Sequence, residues 1–84
     1  MSESKQQTFG QELVGLNFNP SNLDNVSIVK QHMADVIDML QKYMLEHIST
    51  GSDDLAARRN RIYEMSLHDM LQAQMMAVKL LTLK

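Results

Sequence analysis

Apolar residues recur at steps of three and four through the last two thirds of the chain, and the rhythm breaks once, at Thr50-Gly51-Ser52. Before the break, Val26, Val29, Met33, Val36, Ile37, Leu40, Met44 and Ile48 mark one face of an amphipathic helix running from 24 to about 49. In the break, Gly51 suits a left-handed residue past a helix end. Ser52 suits an N-cap, with Asp53 and Asp54 placed at the positive end of a new helix. That next helix, 53 to 83, would be roughly 45 Å long at 1.5 Å per residue. A connection confined to 50–52 forces the two helices into an antiparallel hairpin.

Upstream of the hairpin, MSESKQQ (1–7) reads as a frayed polar tail. TFGQELVG (8–15) reads as a short helix stopped by Gly15, and 16–23 as a loop. The expectation is one all-α domain. A chain of 84 residues buries only about 60% of the surface its unfolded form exposes. It contains no cysteine, so stabilisation must come from a ligand or from other chains. The apolar surface points to chains. Tyr63, Leu67, Met70, Leu71, Val78 and Leu81 form one stripe of the last helix, and Ile62, Met65, Met76, Leu80 and Leu83 form another beside it. One partner helix cannot cover both. AQMMAVKLLTL (73–83) is apolar nearly all round, which predicts a homo-oligomer unless the first helix and tail fold back over it.

Composition also bears on function. A net charge of −2 offers no field for DNA or RNA. Neither a signal peptide nor an uncharged run near membrane-spanning length is present, which predicts a cytosolic protein with no membrane partner. His32, His47 and His68 sit in no recognisable catalytic motif, so no enzyme and no cofactor is expected. The hairpin register sets Asp35 opposite His68, with His32 and Asp69 nearby. That cluster is expected to be a solvated polar face rather than a metal site. Arg58, Arg59 and Arg61 are expected to pair with Asp54, Glu64 or Glu46.

The loop LVGLNFNPSN (13–22) concentrates Gly15, Phe18, Asn19, Pro20 and Ser21 just before the first long helix, with Lys30 close behind. A lysine point charge, amide and hydroxyl donors from Asn19 and Ser21, and free N–H groups at a helix start would together meet a phosphate. Asp24 opposes an anion there. The structural alternative is an exposed lysine behind an Asn-Pro-Ser turn and N-cap. Phe9 and Phe18 are likewise either core residues or surfaces for stacking a nucleobase.

FGQELVGLNFNPSN, the following VSIVKQHMADVID (26–38) and the closing AQMMAVKLLT (73–82) resemble the phage hairpin-domain family of anti-CBASS cyclic-nucleotide sponges. The resemblance implies a non-catalytic, all-helical bacteriophage protein of the host cytoplasm. It would assemble as a hexamer and sequester the cyclic oligonucleotide messengers of a bacterial immune system. In that family a cyclic dinucleotide lies between protomers, which implies that Phe9 stacks on a base and Lys30 meets phosphate. Gly10, Phe18, Asn19, Pro20 and Ser21 join them by proximity. A second pocket for cyclic trinucleotides would fall to Lys79 and Thr82. Two departures stand out: Phe9 replaces an expected tyrosine, and Met76 an expected tryptophan. The contrasting expectation is a helical oligomerisation or adaptor module with no small ligand.

Overall fold

In the computed structural model of the chain, residues 6–17, 19, 23–47 and 52–83 are described, and all regular structure among them is helical. Three helices follow one another: α1 (Phe9–Val14), α2 (Asp24–Glu46) and α3 (Asp53–Leu81). Residues 1–5, 18, 20–22, 48–51 and 84 lie outside the described residues, and with them most of the expected 50–52 turn.

The short α1 is defined at both ends by its own sequence. Thr8 and Gln11 close a reciprocal capping box: the Gln11 N–H donates to Thr8 Oγ1 at 3.1 Å, and the Thr8 N–H donates to Gln11 Oε1 at 3.0 Å. Gly15 ends the helix at φ 67°, ψ 51°, a left-handed conformation that costs other residues about 1–2 kcal/mol. In α2 the cap lies later than the Asn-Pro-Ser turn suggests. Leu23 occupies the N-cap position and supplies no side-chain bond. Asn19 donates from Nδ2 to the Leu23 carbonyl and to Ser27 Oγ, both at 3.0 Å, which ties the loop to the first turn without capping its N–H groups. Ser52 caps α3, accepting the Leu55 N–H at 3.1 Å.

Packing is uneven along the hairpin. Val14, Ala34 and Ile37 form the core, with Met33 of α2 and Leu67, Met70 and Leu71 of α3 against it. Among the described residues, those buried are Gly10 and Val14 in α1, Val26, Lys30, Ala34 and Ile37 in α2, and Gln74 in α3. From 38 to 66 no described residue is buried. The body is flat, 49 × 36 × 13 Å, and exposes 6281 Å² where a compact monomer of 9.6 kDa exposes about 5,100 Å². Much of the surplus is apolar, including Met39, Leu45, Met65, Met76, Leu80 and Leu83. Among the described residues no helix is long and apolar enough to cross a membrane.

Candidate functional site

The candidate site is the block where α1 lies antiparallel on the middle of α2, from Lys30 to Asp38. Its docking depends on a missing Cβ. Gly10 sits so close to α2 that a side chain there would overlap the Ala34 carbonyl oxygen and come within 2.8 Å of Asp38 Oδ1. That closeness lets the Gly10 N–H donate to Asp38 Oδ1 at 2.7 Å, so a carboxylate of α2 meets one of the free N–H groups at the positive end of α1. Gln11 Nε2 continues the contact to Gln31 Oε1 at 3.2 Å, and Gln31 Nε2 donates to Asp35 Oδ1 at 2.7 Å.

With Gly10 and Val14 facing inward, Phe9 faces out. It is 36% exposed, and Leu13, one turn on, is exposed beside it. Phe9 thus lies at the edge of the packed block, partly covered and partly open.

Lys30 meets the other end of α1. It is only 6% exposed, and Nζ donates to the Gly15 carbonyl at 3.0 Å. A buried cation at the negative end of a helix is favourable, and a charged donor to a carbonyl contributes about 1.5–3 kcal/mol. The neighbouring Val14 carbonyl receives Gln74 Nε2 of α3 at 3.4 Å. The last carbonyls of α1 are thus held from both long helices, while Gln74 Oε1 is buried with no hydrogen-bond partner among the described residues. Lys30 is neither the exposed lysine nor the freely reaching one considered from sequence. Phe9 and Lys30 lie at opposite ends of α1, separated by roughly 9 Å along its axis.

Other sequence-predicted residues fall as follows. Asn19 is half-buried and engaged with the start of α2. Phe18, Pro20 and Ser21 lie outside the described residues. Lys79 is exposed on the last turn of α3. Thr82 turns its hydroxyl back onto the Val78 carbonyl at 2.8 Å. The Asp35–His68 juxtaposition does not form a cluster, because Asp35 bonds Gln31 on its own helix and His68 touches Asp69 at 3.6 Å. The arginine pairing also differs from expectation. Arg59 donates to the His47 carbonyl at 2.9 Å, and Arg58 and Arg61 form no hydrogen bond or ion pair among the described residues.

Comparison with protein-family models, with curated proteins and with solved structures gives no match.

Proposed function

We propose that this chain is a sponge. Copies of it assemble and hold a cyclic oligonucleotide in the seam between them without making or breaking a bond, which in a phage-infected cell would starve a CBASS effector of its messenger. The reading rests on the likeness of FGQELVGLNFNPSN and AQMMAVKLLT to the anti-CBASS sponge family. The single observation that supports it structurally is the partly open Phe9: α1 docks through Gly10, and the ring, 36% exposed, leaves an edge for a ligand or a neighbouring copy.

The energetics favour a shared site. Nanomolar retention requires about −12 kcal/mol, whereas one stacked base supplies about 1–3 kcal/mol. Two copies related by a two-fold axis would present two phenylalanines and two lysines to a ligand with two bases and two phosphates. Lys30 supports this role with a stem fixed by burial and an ammonium anchored beside the loop; a phosphate approaching from the loop side would share that ammonium with Gly15. Exposed apolar side chains along both long helices, among them Met39, Leu45, Met65, Met76 and Leu80, offer surface for copies to pack against one another. A hexamer, cytoplasmic action and a second, trinucleotide site at Lys79 and Thr82 belong to the same proposal. A ligand-free assembly module is favoured only by the bare Met76–Leu83 face.

The test is a melting curve against a panel of cyclic di- and trinucleotides. Ligand at 100 times its dissociation constant should add about 2.7 kcal/mol. Phe9→Ala should weaken that gain at least tenfold in affinity. Lys30→Met, which keeps the buried stem and removes the charge, should abolish it with the assembly size unchanged. A flat response to the whole panel would transfer the proposal to the assembly module.

A further inference from the structure

The other end of the hairpin holds a groove of about 420 Å³ between the last turns of α2 and the first turns of α3. Its volume lies within the range of small-molecule pockets, and its lining is chemically selective. Both tyrosines of the chain, Tyr43 and Tyr63, stand in it, with Arg58 and Arg59 beside them and Leu55 and Ile62 in the apolar wall. Among the described residues no carboxylate lines it, although the chain as a whole has more acidic than basic residues. The Tyr43 ring is steadied by stacking on His47, centroids 4.0 Å apart and planes 27° apart. Arg59 is engaged with the His47 carbonyl, whereas Arg58 is exposed and unbonded among the described residues. Burial raises the Tyr63 phenol above its ordinary value of 10.0, so near neutral pH it remains an O–H donor and brings no negative charge.

The geometry points to a second binding site, for a small aromatic anion: a flat ring packs against Tyr43 and Tyr63, and its phosphate or carboxylate meets Arg58. An apolar slot explains the ring, and an unpaired guanidinium in a cleft without acids explains the charge. The site is independent of the proposed sponge function, since it uses neither Phe9 nor Lys30.

Because the only two tyrosines of the chain both line this groove, tyrosine ring resonances report on it directly. Naphthyl phosphate, titrated into the intact protein, should shift the Tyr43 and Tyr63 ring signals in a saturable manner. Uncharged naphthol should bind at least tenfold more weakly. Arg58→Gln, an exposed change that the fold tolerates, should reduce naphthyl phosphate affinity about tenfold or more, leave naphthol unaffected and leave the melting temperature in place. Lys30→Met should not alter the titration. Equal affinity for phosphate and alcohol would overturn the assignment. So would an effect of Lys30→Met equal to that of Arg58→Gln, or tyrosine signals that respond to protein concentration and not to probe, which would mean that a second copy fills the groove.

Discussion

The two ends of this hairpin carry the same apolar rhythm and pack very differently. At the α1 end a third helix lies in the angle between α2 and α3, and Val26, Lys30, Ala34, Ile37 and Gln74 are buried. At the turn end no third element is found among the described residues, and isoleucine, leucine, methionine and tyrosine side chains at similar spacings remain partly or largely exposed. Two helices alone can cover only one line of each other. The difference teaches that periodicity specifies which face seeks burial, while a third element decides whether burial is reached.

Matched substitutions break or sharpen that contrast. The largest effect is expected for Ile37→Ala, at a position 0% exposed, with a loss of about 3–4 kcal/mol in urea unfolding. Ile62→Ala, at a position 56% exposed, should cost below about 1 kcal/mol. Equal losses would erase the distinction between the ends. Gly10→Ala comes next. The Ala34 carbonyl belongs to the α2 backbone and cannot step aside, so about 1–3 kcal/mol should be lost, and α1 amides should exchange with solvent faster than α3 amides. Thr8→Ala, which opens the capping box, should cost about 1 kcal/mol, again felt in α1.

The smallest effect is a pH dependence. The folded pKa of Tyr63 is raised above its unfolded value by desolvation. Its contribution is therefore complete below about pH 10 and is lost as pH rises through the folded value. Tyr63→Phe should flatten that alkaline limb of a melting-temperature profile, and an unchanged limb would place the effect elsewhere.

Much of the architecture could be read from residue order. Ser52 and the aspartates behind it mark the start of α3, Thr8 and Gln11 cap α1, and Gly15 stops it. The burial of Lys30 and Gln74 was legible too, from spacing rather than polarity. Lys30 sits between Val26 and Ala34 on one stripe, and Gln74 between Leu71 and Val78 on another. Chemistry suggested exposure, and position prevailed because Gly15 and Val14 offered carbonyls to both side chains. The role of Gly10 was not legible, because the contact that forbids a Cβ comes from α2, 24 residues further on at Ala34. The gathering of Tyr43, Tyr63 and Arg58 had a faint signal in the hairpin register, obscured by the expectation that arginines near acids on a helix pair locally.

The central claim, that copies of this chain enclose an intact cyclic nucleotide, is tested most directly by native mass spectrometry of the protein mixed with a cyclic dinucleotide. The account predicts an assembly retaining one unmodified ligand for every two chains. A lone subunit, or an assembly that carries no ligand mass at saturating concentration, would contradict it.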